Sequence, residues 1–118
     1  MNMEKETIVT INGNGIVSVP DKVMMQDFEI AELFGVMIST IKSNIRTILK
    51  TGIATSDCTN GATLVGNNIL PDYHGLDMVV TLAFRVQSPQ AKIFRRWILR
   101  QCTIAEHQVV VLQLITDN

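Results

Sequence analysis

Three basic residues recur at four-residue intervals in the middle of the chain, at Lys42, Arg46 and Lys50. If this segment is helical, the spacing places the three cations in one stripe along the helix. Cations arranged in this way suit the phosphates of DNA, whereas short polar side chains suit base edges in the major groove. The residues expected to accompany the stripe at such an interface are Met37, Ser39, Thr40 and Ser43. The alternative is an ordinary solvated helix face.

The stretch that carries the stripe, residues 27–50, has the spacing of a helix-turn-helix. Ala31 is a small residue where two helices would approach each other, and Gly35 lies where the chain would reverse between them. Four apolar residues are expected to join the helices: Ile30, Phe34, Val36 and Ile41. This pattern favours DNA recognition by the second helix. A helical hairpin without any ligand is the alternative.

Local signals define the ends of these two helices. Asp27 is predicted to cap the first helix, and Gly35 to end it. The second helix is predicted to begin at Met37 or Ser39 and to close at residues 51–52. Asn44 occupies a position where many helix-turn-helix proteins have an apolar residue, so the neighbouring Ile45 is expected to make that contact.

The segments on either side predict an α+β fold. Two β-branched runs, residues 7–11 and 15–19, flank the turn sequence Asn-Gly-Asn and predict an N-terminal β-hairpin. A second, weaker hairpin is possible between residues 62–65 and 68–71, where winged variants of the motif carry a wing.

The C-terminal third of the chain predicts two helices and an apolar tail. Apolar residues at helical spacing favour a helix over 76–86, and Ser88 followed by a proline begins another that should run to about Gln101. The run 107–115 fits either a buried strand or a helix packed at an interface. A strand, or a dimer contact, is the preferred interpretation.

Composition indicates one domain, residues 1–118, in a soluble, cytoplasmic protein. The chain is 47% hydrophobic with a formal net charge of −1, and no apolar run approaches the length of a membrane span. Cys58 and Cys102 lack the spacing of zinc ligands and are expected to be reduced thiols. No metal, cofactor or small-molecule substrate is expected.

Acidic and basic residues are concentrated in different segments of the chain, although the net charge is only −1. No acidic residue occurs in 33–56 or in 78–104. The second run contains a further candidate set for DNA contact: Lys92, Arg95 and Arg96. These cations could contact phosphates. Alternatively, the two arginines could pair with one of three acidic residues: Asp72, Asp77 or Glu106.

The sequence offers little for catalysis. His74 and His107 each occur without a recognisable nucleophile, carboxylate-pair or metal-ligand motif nearby in sequence. His74 lies in the sequence PDYHG, which favours a turn residue over a general base. The prediction is that the chain is not an enzyme.

Two segments together resemble the RhuM family of virulence-associated proteins. They are AELFGVMISTIKSNIRTIL, from Ala31, and LDMVVTLAFRVQSPQAKIFRRWILRQ, from Leu76, in that order. The second is also similar to the end of the Bro-N domain of phage and viral antirepressors. The matching residues there are Ser88, Pro89, Ala91, Lys92, Phe94 and Trp97. The resemblance covers Phe28 to Gln101 and implies a DNA-binding domain from a phage or another mobile element.

The expected function is sequence-specific binding of double-stranded DNA, with residues 39–50 in the major groove. Three phosphate contacts give a salt slope of about −2.7, so a fourfold rise in salt would weaken binding roughly 40-fold. Because such a monomer would bind weakly, a homodimer is expected. The alternative is a protein-interaction or oligomerisation module that retains the fold without affinity for DNA.

Overall fold

The computed structural model describes residues 6–52, 61–65 and 68–116 of the chain, with side chains assessed through Thr103 apart from Val65 and Asn68. Four helices and two antiparallel hairpins occur within this part, which confirms the predicted α+β class. In chain order the elements are β1 (Thr10–Ile11), β2 (Val17–Ser18), α1 (Asp27–Phe34), α2 (Ile38–Thr51), β3 (Ala62–Val65), β4 (Asn68–Pro71), α3 (Leu76–Ala83) and α4 (Pro89–Thr116).

Both predicted hairpins are present. In the first, the strands are shorter than the β-branched runs, and the Asn12 side chain builds the turn by accepting from the backbone N–H groups of Asn14 at 2.9 Å and Ile16 at 3.0 Å. The second hairpin has the predicted strand limits and pairs Thr63 with Leu70. The predicted turn residues at 66–67 lie outside the described residues.

A three-residue turn joins α1 to α2, as the helix-turn-helix spacing predicted. Gly35 has φ +64°, a left-handed conformation that glycine adopts without the steric cost other residues meet. The N–H of Val36 donates to the carbonyl of Ala31 at 3.0 Å, so this carbonyl in the last turn of α1 has a hydrogen-bond partner. The second helix closes at Gly52, also as predicted.

The start of α1 differs by one residue from the prediction. Gln26, and not Asp27, is the N-cap, and its backbone N–H donates to the Glu29 carboxylate at 2.8 Å. Asp27 is therefore the first helical residue. A carboxylate in the first turn remains favourable there because the helix dipole presents positive charge at its N-terminus.

The core lies where the four helices meet. Phe34 of α1 and Phe94 of α4 are both fully buried, with ring centroids 5.9 Å apart, and Phe94 stacks on Trp97 at 5.7 Å. Ile45 of α2 is only 2% exposed, so it makes the apolar contact expected of it beside Asn44. The helix pair that carries the basic stripe is thus held from behind by α4.

The prediction of a strand in 107–115 was wrong. Helix α4 begins at Pro89 as predicted, with the Ser88 hydroxyl accepting from the N–H of Ala91 at 3.0 Å, but it continues to Thr116. Its 28 residues span about 42 Å. No glycine or further proline interrupts the segment after Pro89, so the helix has no local reason to stop at Gln101. Among the described helices, none is both long and apolar enough to cross a membrane.

Candidate nucleic-acid interface

The exposed face of α2 brings together the residues predicted there. Helix α2 buries Ile41, Ile45 and Ile48 on one side and contains no acidic residue. The opposite side is exposed and carries Ser39, Thr40, Lys42, Ser43, Arg46 and Lys50. Met37 is the N-cap residue of this helix and is 73% exposed. All seven predicted residues therefore lie on, or at the start of, one accessible helix.

A polar pair fixes α2 against the turn that follows α3. The Asn44 side chain donates to the carbonyl of Thr40 at 2.8 Å and accepts from Nε of Arg85 at 3.0 Å. Asn44 and Arg85 are 41 residues apart in sequence. Nothing in the sequence predicts this contact. It gives Asn44, at a position where an apolar residue was expected, a role in orienting α2.

The second hairpin lies next to α2 across a cavity of about 450 Å³. The start of α1 forms a third wall. The lining residues are Gln26, Asp27, Phe28, Ile38, Lys42, Ile45, Arg46, Thr63, Leu70, Pro71, Asp72, Tyr73 and His74. Two of the three cations of the α2 stripe, Lys42 and Arg46, thus border the cavity as well as the exposed face.

His74 contacts a carboxylate that is distant from it in the sequence. Its Nε2 lies 2.6 Å from Oδ1 of Asp27, and its side chain is 1% exposed. The backbone N–H and carbonyl of His74 also pair with those of Met25, at 2.8 and 3.0 Å. Nearby, Nε2 of Gln26 donates to the Tyr73 hydroxyl at 3.0 Å. These contacts join the end of the second hairpin to the start of α1.

The burial of His74 gives the pair a structural role. A general base must come within hydrogen-bond distance of its substrate, whereas the side chain of His74 is 1% exposed and its Nε2 is already engaged by Asp27. In the described segments, no three side chains of the metal-ligating types converge on one point. The contacts of His74 with Asp27 and Met25 make it a clamp between the end of the hairpin and the start of α1.

We expect His74→Ala to lower the free energy of unfolding by about 2 kcal/mol, because it removes a buried side chain and the hydrogen-bond partner of Asp27. Chemical denaturation measures this change. Tyr73→Phe is the matched control, since it removes one part-buried hydroxyl and should cost less than about 1 kcal/mol. Additive effects of His74→Ala and Asp27→Ala in a double-mutant cycle would contradict the proposed clamp.

The predicted basic set on α4 divides in two. Lys92 and Arg96 are exposed, as phosphate contacts require. Arg95 instead is half-buried, and its Nη1 donates to the backbone carbonyls of Ala83 at 2.6 Å and Val86 at 2.9 Å. Ala83 is the last residue of α3, where no further helical N–H can satisfy its carbonyl, and Val86 lies in the turn that follows. The guanidinium group of Arg95 thus binds the end of α3 and the turn after it, unlike the two exposed cations of the set.

The α4 arginines do not form the acidic pairs that were the alternative to phosphate contact, as far as the described residues extend. Within the described residues, no arginine or lysine lies within ion-pairing distance of a carboxylate, so neither Arg95 nor Arg96 pairs with Asp72 or Asp77. The side chain of Glu106 lies outside the described part of the chain. Among described residues, the cations of α2 likewise have no acidic partner.

In comparisons with known proteins, no protein-family model, no curated protein and no solved structure matches this chain. The resemblance to the RhuM family and the Bro-N domain stays a prediction based on the two segments quoted above.

Proposed function

We propose that the chain is a sequence-specific DNA-binding module that places α2 in the major groove. The observation that carries this proposal is the exposed, acid-free face of α2, which is the second helix of a helix-turn-helix and is held in place by α1 and α3. The second hairpin, beside α2, has the position of a wing. The resemblance to the RhuM family and the Bro-N domain supports the same function. We further propose that the protein is cytoplasmic and derives from a mobile element or prophage.

Roles follow from side-chain length and charge. Ser39, Thr40 and Ser43 are short and lie in the N-terminal half of α2, the half that reads base edges in helix-turn-helix proteins. The three α2 cations are assigned to phosphate contacts. Lys92 and Arg96 of α4 are exposed and form a second set for the same role. Arg95 has no part in this interface because its guanidinium group is bound to α3.

Helix α4 supports the expected homodimer. Residues 99–103 are exposed in succession, so α4 leaves the core after Ile98. In the sequence from there on, apolar residues recur at alternating spacings of four and three, the period of a coiled-coil seam. These residues are Ile98, Cys102, Ala105, Val109 and Leu112. We infer that the C-terminal half of α4 pairs with that of a second copy, which would double the DNA contacts.

Val109→Lys should convert the dimer to a monomer, because it places a charge in the inferred seam. His107→Lys adds the same side chain two residues away, outside the seam, and should leave the dimer intact. Size-exclusion chromatography with light scattering measures both masses. Dimers in both variants would show that the copies do not pair through this seam.

The direct test of DNA binding is electrophoretic mobility with wild-type protein at about 50 mM salt, where phosphate contacts are strongest. Selection from a random DNA pool should then yield a palindromic site, since a symmetric dimer reads two equal half-sites. A dimer with six phosphate contacts should show a salt slope of about −5.4. The absence of any shift at low salt would exclude this function.

The alternative function is a protein-interaction or oligomerisation module without affinity for DNA. The exposed run at 99–103, the apolar residues that follow it in the sequence and the net charge of −1 favour it. It predicts that the protein self-associates through α4 but gives no shift with DNA at low salt. The two functions are therefore separated by the same mobility measurement.

A further inference from the structure

We propose that the cavity between α2 and the second hairpin is a ligand site for a small aromatic molecule with an anionic group. We further propose that this ligand competes with DNA for Lys42 and Arg46. The competition rests on the proposed DNA-binding function, whereas the ligand site itself does not.

The cavity has the size and the walls of a small-molecule site. Its volume of about 450 Å³ is within the range of about 300 to 1,000 Å³ typical of such sites. Phe28 and Ile38, which line it, are 48% and 42% exposed, and Leu70 and Pro71 supply further apolar surface from β4. An exposed aromatic ring at the wall favours a flat aromatic ligand, because rings stack in offset or edge-to-face arrangements.

The cations that line the cavity are available to an anion. Two carboxylates line it as well, and each is already hydrogen-bonded: Asp27 to His74, and Asp72 to the Thr63 hydroxyl, which donates to it at 2.5 Å. Lys42 and Arg46 line the same space without an acidic partner among the described residues. A carboxylate or sulfonate would meet both cations in charge-assisted hydrogen bonds.

The arrangement couples ligand and DNA through shared residues. Lys42 and Arg46 border the cavity and also lie on the exposed face of α2, while Lys50 lies on that face without lining the cavity. A side chain turned towards an anion in the cavity cannot hold a DNA phosphate at the same time. The bound anion would therefore act as an inducer that releases DNA.

The test uses two fluorescent probes with nearly the same ring system. One is 1-anilinonaphthalene-8-sulfonate, an aromatic anion, and the other is N-phenyl-1-naphthylamine, which lacks the sulfonate. The double variant Lys42→Gln/Arg46→Gln should weaken binding of the anionic probe at least about tenfold, as the loss of two charge-assisted contacts implies. Its binding of the neutral probe should be unchanged.

Lys50→Gln is the matched control, because it removes a cation from the same face of α2 but not from the cavity. It should weaken DNA binding and leave the anionic probe bound as in the wild type. Phe28→Ala should weaken both probes, since it removes an aromatic wall. Circular dichroism establishes that each variant is folded.

The outcomes separate the site from the DNA-binding function. If the wild type binds the anionic probe through Lys42 and Arg46 but never binds DNA, the ligand site is supported and the proposed function fails. If DNA binds while the anionic probe does not, or binds equally well to the double variant, the ligand site is overturned. If both bind and the probe does not displace DNA, the competition is overturned.

Discussion

The double variant Lys42→Ala/Arg46→Ala should lose the electrophoretic shift that the wild type is expected to give at about 50 mM salt. In a dimer it removes four of the six phosphate contacts proposed for the two α2 helices, so the salt slope should become shallower by about 3.6. The affinity at low salt should fall by at least about 100-fold. Both side chains are exposed on α2, and the fold should therefore be unaffected.

A matched control for this variant is Lys22→Ala/Arg100→Ala. It removes one lysine and one arginine, both exposed, from positions outside α2. If binding is a property of the α2 face, the control should keep most of the affinity and of the salt slope. Equal losses in the two double variants would indicate attraction by overall charge and would contradict a specific role for α2.

Phe94→Ala should lower the free energy of unfolding by about 4 kcal/mol, the largest stability effect that we predict. Phe94 is fully buried, and its ring lies between Phe34 of α1 and Trp97 of α4, at 5.9 and 5.7 Å. Removing the ring leaves a cavity where α4 supports the helix-turn-helix. Urea denaturation followed by circular dichroism measures the change, and DNA binding should weaken with it as the folded fraction falls.

Leu99→Ala provides the comparison on the same helix. Leu99 is 56% exposed, so its truncation should change stability by less than about 0.5 kcal/mol. A small effect of Phe94→Ala, similar to that of Leu99→Ala, would show that α4 does not support α1 through this ring. The position of α2 would then need another explanation.

The sequence predicted the elements where a local signal is strong. Gly35 ends α1 because a left-handed residue is needed there, and Ser88 begins α4 because its hydroxyl caps the first turn. The strand limits of the second hairpin were also predicted, from the turn signal at 66–67 and the short segments on either side of it. The helical structure of residues 107–115 was not predicted, since an apolar run fits a strand or a helix equally well. These residues are helical because they continue α4.

For the candidate interface, the sequence by itself determined which residues share the exposed face of α2, because helical periodicity is a local property. Only the tertiary structure decided the role of Arg95, the pairing of His74 with Asp27, and the cavity that includes Lys42. The two partners of the histidine pair are 47 residues apart. Such contacts depend on how complete elements pack, and no spacing within a single element encodes them.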